Sequence, residues 1–323
     1  MSAPRVLLVR FSAIGDCVMV TPVATAVRRK YPDAHLVWAV EDRCETVLET
    51  QTLLTRAHVF PRTKWKAARW SPETWREQIL AYTSLRPERF DWGIDFQGHS
   101  KTALLLRLAR VGKAIAAPGT DPIARALNPQ TKLKWKAMHR VEGNMGLLRE
   151  FEEFDREVVF TLPQLEEETA KVREMLPSGR IATIATGAGA DNKVYPAAQW
   201  VEVAAGLQAQ GLQVVWVGGP RDPEPIAPGT VSLVGKLTLR ETMAALAASE
   251  VHAAGDTGSG HLCAALGVPV VSVFGPMDPV VYRPYTDHGR VLNRDGIPDH
   301  VRPDEVVKAA MELVHERSTA ISD

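Results

Sequence analysis

The stretch 251–274 reads VHAAGDTGSGHLCAALGVPVVSVF and contains the unit from which the fold is built. Its apolar run 251–254 is predicted as a strand, 260–266 as a helix, and the apolar run 268–274 as a second strand. Strands without polar alternation are typical of parallel sheets whose two faces are both covered by helices. The stretch therefore predicts a βαβ unit of an α/β protein.

The same alternation extends through the rest of the chain. Upstream in the second half, strands and helices are predicted in turn at 180–186, 196–210, 212–217 and 239–248. In the first half, strands are predicted at 5–10, 35–40 and 91–96, and a helix at 100–110. We therefore expect two doubly wound units, joined near 151–168, where the sign of the charge changes. The last predicted helix, 303–315, would suit either unit.

Composition narrows the class of protein. Of 323 residues, 45% are hydrophobic and 24% are charged, which excludes disordered, collagen-like and coiled-coil proteins. No apolar run reaches the roughly 18 residues of a spanning helix, and no cleavable signal pattern opens the chain, so we expect a cytoplasmic protein. Three distant cysteines, Cys17, Cys44 and Cys263, fit neither a disulfide framework nor a zinc site.

Charge is unevenly distributed between the two halves. Residues 1–150 hold 24 Lys and Arg against 14 Asp and Glu, a balance of +10, and since the whole chain is neutral the remainder carries −10. A basic half raises the local concentration of anionic ligands or lies against an anionic surface. Uneven solvation of two ordinary faces is the alternative.

Loops that follow strands are where ligands bind in open parallel sheets. In the first such loop, 11–17 (FSAIGDC), Gly15 permits a close backbone approach and Asp16 stands at the opening of a helix. Asp16 is either a helix cap or a general base at the ligand-facing edge of the sheet. No GxGxxG pattern follows, so a dinucleotide fingerprint is not supported.

Three loops of the second half carry further polar groups. In 255–267, an anion site at a helix start is predicted from Gly255, Gly258 and Gly260 together with Thr257 and Ser259, although an ordinary tight turn would also use glycine. In 185–196, Gly187 and Gly189 would approach a phosphate and Lys193 would neutralise it, unless Lys193 is a surface lysine. In 217–224, the carboxylate of Asp222 would bind a ribose diol, unless the segment is a surface turn.

Three segments, RFSAIGD (10–16), DFQGHSKTALLLRL (95–108) and GDTGSGHLCAALGVPVVSVFGPMDP (255–279), together resemble glycosyltransferase family 9. This family contains the ADP-heptose:lipopolysaccharide heptosyltransferases. The resemblance implies a GT-B type α/β fold, with two Rossmann-like doubly wound domains facing a central cleft. It implies that domain 1–160 binds the acceptor and that domain 161–323 binds the nucleotide sugar.

The resemblance also implies roles for individual residues. Asp16 would be the base that removes the acceptor hydroxyl proton, and Lys193 would contact the donor diphosphate. The other expected donor-site residues are Thr186, Gly187, Asp222, Asp256, Thr257, Gly258 and His261, and the expected acceptor-site residues are Ser12, Gly15, Gln97, Lys101 and Arg140. The segment 193–196 (KVYP) departs from the usual Lys-x-Trp-Pro, and Ala188 and Gly189 replace a polar pair, which affects the sugar and the phosphate contact.

The expected reaction is inverting transfer of a sugar, heptose from ADP-heptose by resemblance, to an anionic glycolipid acceptor. We expect no metal and no cofactor, because Lys193 and a helix start would stabilise the leaving diphosphate. We also expect a monomer that binds no nucleic acid. Two alternatives stay open: an epimerase-like nucleotide-sugar enzyme, and a non-catalytic member that binds nucleotide or polysaccharide.

Two basic segments contain tryptophans. The first places Lys64, Lys66, Arg69 and Arg76 among Trp65, Trp70 and Trp75, and the second places Lys132, Lys134, Lys136 and Arg140 around Trp135. Basic and interfacial aromatic side chains suit a lipid headgroup surface, so we expect peripheral contact with the inner membrane. A nucleic-acid patch would look similar, and tryptophans in the core with lysines in water are the plain alternative.

Overall fold

The computed structural model describes residues 3–49, 51–225 and 227–322. The chain divides into two compact units, Met1–Pro163 and Gln164–Asp323, called unit 1 and unit 2 below. The division lies inside 151–168, the segment in which the charge changes sign. Within this segment, residues 153–165 belong to no helix or strand.

Unit 1 contains one parallel sheet. Among the described residues its strands are β1 (Arg5–Val9), β2 (His35–Glu41), β3 (Arg56–Phe60), β4 (Trp92–Asp95) and β5 (Lys113–Ala116), in the order β3-β2-β1-β4-β5. Its helices are α1 (Ile14–Val18), α2 (Thr21–Lys30), α3 (Arg62–Ala67), α4 (Pro72–Thr83), α5 (Ser100–Ala109), α6 (Pro122–Leu127) and α7 (Arg140–Arg149). The strand order reverses between β1 and β4, which is where doubly wound sheets bind ligands.

Unit 2 repeats this architecture with a second parallel sheet. Its described strands are β6 (Ile181–Ala185), β7 (Gln213–Val217), β8 (Val231–Ser232), β9 (Val251–Gly255), β10 (Val270–Phe274) and β11 (Gly289–Asn293), in the order β11-β10-β9-β6-β7-β8. Its helices are α8 (Glu166–Arg173), α9 (Ala197–Ala209), α10 (Leu239–Ala247), α11 (Gly258–Ala265), α12 (Pro279–Tyr282) and α13 (Pro303–Ser322). The reversal lies between β6 and β9.

Each unit has its own core. In unit 1 the ring of Phe60 contacts Phe11 at 5.1 Å, Trp65 at 5.7 Å and Tyr82 at 5.2 Å between centroids. In unit 2 the strands β6, β9 and β10 are buried along their whole length, because helices cover both faces of the sheet. The last helix, α13, packs on α9, β9, β10 and β11 of unit 2.

The predicted α/β class with parallel sheets is confirmed, and each predicted strand and helix is present within about two residues of its expected ends, apart from α13, which continues to Ser322. Sequence reasoning missed the edge strands β3, β5, β8 and β11. These strands are short or only partly buried, so their apolar signal is weak.

Candidate active site

In unit 1, the loops after β1 and β4 are joined at the reversal point of the sheet. Gln97 accepts a hydrogen bond from the Phe11 amide through Oε1 (3.1 Å). The buried carboxylate of Asp95 at the end of β4 accepts from the amides of Gln97 (2.9 Å) and Gly98 (3.0 Å) and from the Thr102 hydroxyl (2.8 Å). The segments 10–16 and 95–108, which both carry the family resemblance, are therefore linked by a hydrogen bond at the same edge of the sheet.

Burial raises the pKa of Asp95 to about 6, although these hydrogen bonds and the nearby Arg10 act in the opposite direction. Gly98 has a φ of +67°, and a Cβ there would lie 2.7 Å from the Pro118 carbonyl oxygen. The turn after β4 thus requires glycine and is shaped by a buried carboxylate.

Asp16 lies in the first turn of α1 and is anchored by one of its two carboxylate oxygens. Oδ2 accepts from the Ala13 amide (3.1 Å) and forms an ion pair with the Arg10 guanidinium. Arg10 is itself fixed, since its Nη1 donates to the Phe96 carbonyl (2.8 Å). Among the described residues, nothing engages Oδ1, and the side chain is 32% exposed. Asp16 therefore caps the helix and still presents a free oxygen.

Lys101 lies in the first turn of α5, with its ammonium 5.4 Å from the centre of the Phe11 ring. Its pKa is lowered to about 8, mainly by burial and then by the positive charges of Arg62 and Lys66; the buried carboxylate of Glu41 opposes this shift. Arg10, Glu41 and Arg62 were not predicted. Each of them ends or closely follows a strand of the sheet, and this position could have identified them as candidate site residues from the sequence.

The other predicted acceptor residues have different surroundings. Ser12 is partly buried and Gly15 is buried within α1. Arg140 opens α7, donates to the Trp135 carbonyl (2.6 Å) and stacks its guanidinium 5.0 Å from the Trp135 ring centre. Helix α7 packs on α2, and its Asn144 donates to the Met19 carbonyl (2.9 Å) just beyond the end of α1.

In unit 2, the loops after the neighbouring strands β6 and β9 meet through an ion pair. The Lys193 ammonium lies 2.6 Å from Oδ2 of Asp256, and both side chains are largely buried. The two residues are 63 positions apart in the chain. The structure thus brings together two of the charged residues that were predicted for the donor site, and it fixes the lysine at the carboxyl edge of the sheet.

A chain of hydrogen bonds lies beneath the start of α11. Thr257 contacts Ser259 (2.8 Å between hydroxyl oxygens), Ser259 contacts Nε2 of His252 (3.0 Å), and Nδ1 of His252 contacts the Thr183 hydroxyl (2.9 Å). Thr183 donates to Ser249 (3.2 Å), which donates to the Leu246 carbonyl (2.7 Å).

These last two bonds set the direction of the whole chain. Because the Thr183 hydrogen is used on Ser249, Nδ1 of His252 donates to Thr183, and Nε2 accepts from Ser259. Burial lowers the pKa of His252 to about 3, so the ring is neutral, as this arrangement requires. The hydroxyl of Ser259 is therefore committed to His252, whereas the sequence suggested that it would donate to a ligand.

Thr257 is the N-cap residue of α11, but its hydroxyl makes no capping hydrogen bond. The first amides of α11 are thus not capped by this side chain, which suits an anion at the helix start. His261 is buried in the first turns of the same helix. His252 was missed by sequence reasoning, because a histidine inside an apolar strand looks like ordinary core.

Asp222 fits into a space left by two glycines at the ends of β6 and β7. A Cβ on Gly187 would lie 2.4 to 2.6 Å from the Asp222 carboxyl group, and one on Gly218 would lie 2.8 Å from its Oδ2. The carboxylate accepts from the Gly219 amide (2.7 Å), and Thr186 donates to the Pro223 carbonyl. The close approach expected between Gly187 and a phosphate is thus made to Asp222, while Gly189 has open space around it.

Within the described residues, no three His, Cys, Asp or Glu side chains are grouped so that they would hold a metal ion. The same residues include no helix with the length and apolar character needed to cross a membrane.

Comparison with known proteins identifies the family. A family model described as glycosyltransferase family 9 (heptosyltransferase) matches residues 79–306. The chain is 27% identical over 289 residues to lipopolysaccharide heptosyltransferase 1 of Escherichia coli (strain K12), covering 85% of this chain and 89% of that protein. It is 28% identical over 292 residues to lipopolysaccharide heptosyltransferase 1 of Pseudomonas aeruginosa, covering 85% and 79%.

A solved structure described as E. coli heptosyltransferase WaaC with ADP superposes with a TM-score of 0.79 at 23% identity, covering 96% of this chain and 99% of that one. The superposition confirms the GT-B-like fold with its two parallel sheets. Because the family model spans more than half of the sequence, the chain belongs to glycosyltransferase family 9, the heptosyltransferase family.

Proposed function

We propose that this protein transfers a heptose from ADP-heptose to the core of a lipopolysaccharide acceptor, with unit 1 binding the acceptor and unit 2 the donor. Family membership supports the reaction class, and the names of the relatives support the sugar and the acceptor. The observation that carries the proposal is the state of Asp16, whose Oδ2 is fixed while its Oδ1 is available at the reversal point of the first sheet.

In this reaction the acceptor hydroxyl attacks the anomeric carbon of the heptose, and Asp16 takes its proton. A new C–O bond forms as the bond from the anomeric carbon to the diphosphate oxygen breaks, so ADP leaves with the electron pair. A single displacement of this kind inverts the anomeric centre. Charge appears on the departing phosphate, where a fixed cation is most effective.

Unit 2 supplies that cation. Lys193 is fixed by Asp256, and the uncapped amides at the start of α11 add donors beside it. We infer that these groups replace a metal ion as stabilisers of the leaving group. Asp222, next to Gly187, would accept from a ribose hydroxyl.

The cations of unit 1 suit an anionic acceptor. After burial, the positive charges of Arg62 and Lys66 lower the pKa of Lys101, because they lie close to its ammonium. A carboxylate or phosphate of a lipopolysaccharide core would relieve this repulsion. Because the donor is a nucleotide sugar, we place the reaction on the cytoplasmic side of the inner membrane.

The test is Asp16→Asn, which keeps the shape of the side chain and removes its basicity. We expect transfer to fall by about 10³-fold, within the range for loss of a general base. The affinity for ADP-heptose, measured by calorimetry, should stay within about twofold of wild type, since unit 2 is unchanged. Asp33→Asn, an exposed aspartate of the same unit, is the matched control.

Release of ADP is measured with and without acceptor. Transfer by Asp16→Asn at the rate of wild type would show that another group takes the proton. Equal release of ADP in the absence of acceptor would instead identify a donor-hydrolysing, epimerase-like enzyme.

A further inference from the structure

Exposed apolar side chains are concentrated on one short part of unit 1. Trp70 is 78% exposed, Trp75 is 52% exposed, and Ile79 and Leu80 are each at least half exposed. These four residues lie in the segment 70–80, with Trp70 in the turn between α3 and α4 and the other three along α4. Together with Arg69 and Arg76 they are called the Trp70 surface below.

Helix α4 does not need these side chains for its own packing. It buries Thr74 and Tyr82, and Tyr82 contacts Phe60 in the core. Trp75, Arg76, Ile79 and Leu80 are spaced i, i+1, i+4 and i+5, so they share the opposite face of the helix. The helix is thus apolar on two faces, and only one is used by the fold.

Trp65 shows what a tryptophan of this segment looks like when it belongs to the core. It is buried, stacks near Phe60, and donates from Nε1 to Glu77 (3.0 Å). Trp70 and Trp75 differ in exposure from Trp65 although all three lie in the same basic segment. Trp70 and Trp75 are therefore available for contact with another molecule.

The charge on the Trp70 surface is positive. The Arg69 guanidinium lies 5.0 Å from the centre of the Trp70 ring, and Arg76 lies between the apolar residues of α4. Among the described residues, no carboxylate forms an ion pair with Arg69 or Arg76. The neighbouring acids are already engaged: Glu77 binds Lys64 (2.8 Å), and Glu73 accepts from the Ser71 hydroxyl.

We propose that the Trp70 surface binds the headgroup region of a bilayer that contains anionic phospholipids. Tryptophan combines an apolar ring with a hydrogen-bonding N–H and is favoured at such interfaces, and unpaired arginines match the negative charge of the lipids. This inference deepens the proposed function, because a glycolipid acceptor is carried in a membrane. The surface would hold the enzyme beside its acceptor.

Binding is tested with the full chain and two kinds of vesicle, without donor or acceptor. Flotation should recover the protein with vesicles of phosphatidylglycerol and phosphatidylethanolamine in equal parts, and much less with phosphatidylcholine alone. Arg69→Gln combined with Arg76→Gln should weaken binding about thirtyfold, as expected for two charges near an anionic surface. Lipids with brominated acyl chains should quench the tryptophan fluorescence of the wild-type protein. The quenching should be weaker in the double variant Trp70→Phe, Trp75→Phe.

The apolar part of the surface has a matched control. Ile79→Ser with Leu80→Ser should weaken vesicle binding, whereas Ile123→Ser with Val280→Ser, which alters residues of similar exposure elsewhere, should not. Equal loss in the two pairs, or wild-type binding that does not depend on anionic lipid, would overturn the proposal. Self-association that only the first pair abolishes, with vesicle binding unchanged, would assign the surface to a second copy of the chain.

These experiments separate the two proposals. Each variant is also assayed for transfer to a delipidated, water-soluble acceptor. Loss of vesicle binding in a variant that still carries out this transfer supports membrane binding by the Trp70 surface. Absence of transfer in wild type contradicts the proposed function, and the vesicle experiments then still decide whether the surface binds a membrane.

Discussion

At the scale of single residues, the unit 2 site depends on a buried histidine that no ligand would touch. His252 accepts from Ser259 and donates to Thr183, so it fixes the Ser259 hydroxyl and, through it, Thr257 at the start of α11. His252 is therefore a positioning residue. Its effect on the reaction is expected to come through the geometry of the turn 255–259.

We predict that His252→Leu raises the KM for ADP-heptose about tenfold or more, because the Ser259 hydroxyl would lose its acceptor and Thr183 would lose a donor, and the turn would reorganise. His252→Gln, whose amide can still contact Ser259, should restore much of the affinity. Initial rates at varied donor concentration measure both. An equal loss of kcat and affinity in the two variants would point to a general packing defect instead.

The same residue predicts a dependence of stability on pH. Since burial lowers the pKa of His252 from 6.5 to about 3, the unfolded chain binds a proton that the folded chain refuses between these values. Stability contributed by the neutral ring is thus present above pH 6.5 and is lost as the pH falls towards 3. Urea unfolding across this range should show that the free energy of unfolding decreases less on acidification in His252→Gln than in wild type.

At the scale of elements, glycines in the loops that follow β6 and β7 leave room for the side chain of Asp222. The overlap that a Cβ on Gly187 would cause is with the carboxyl group itself, at 2.4 to 2.6 Å, and this group also accepts from Gly219. A side chain at 187 would therefore displace Asp222 or the loop 217–224.

We predict that Gly187→Ala lowers the free energy of unfolding by about 1 to 3 kcal/mol, the usual cost of overpacking, and weakens ADP binding. Gly189→Ala is the matched control, because nothing lies within 4 Å of its added Cβ. Chemical denaturation and calorimetry with ADP measure the two effects. Restored stability in Gly187→Ala with Asp222→Ala would identify the carboxylate as the group that clashes, whereas no restoration would place the strain elsewhere.

At the scale of the whole molecule, each unit has its own parallel sheet and its own core, one around Phe60 and one around Trp200 and Trp216. The chain passes from one to the other near Pro163, in a segment without helix or strand. Domains with separate cores behave as separate cooperative units.

We predict two unfolding transitions in scanning calorimetry. ADP should raise the transition temperature of unit 2 and leave that of unit 1 unchanged. A ligand at one hundred times its Kd adds about 2.7 kcal/mol to the state that binds it. Lys193→Gln should reduce this shift, while Asp16→Asn should not. A single transition, or a shift of both transitions by ADP, would show that the two units unfold together or share the nucleotide site.

The sequence alone determined the alternation of strands and helices, the place of the polar loops after β1, β6 and β9, and, by resemblance, the family. These features depend on the periodicity and composition of short segments, which are local properties of the chain. Edge strands such as β3 and β11 escaped because their burial is partial.

The tertiary structure alone decided which of these residues meet. The pairing of Lys193 with Asp256, the fixing of Asp16 by Arg10 and Phe96, and the chain through His252 depend on which strands are neighbours in a sheet. It also decided that Trp65 is core while Trp70 is not. Neighbours across a sheet are set by the packing of residues far apart in the chain, and no local pattern records it.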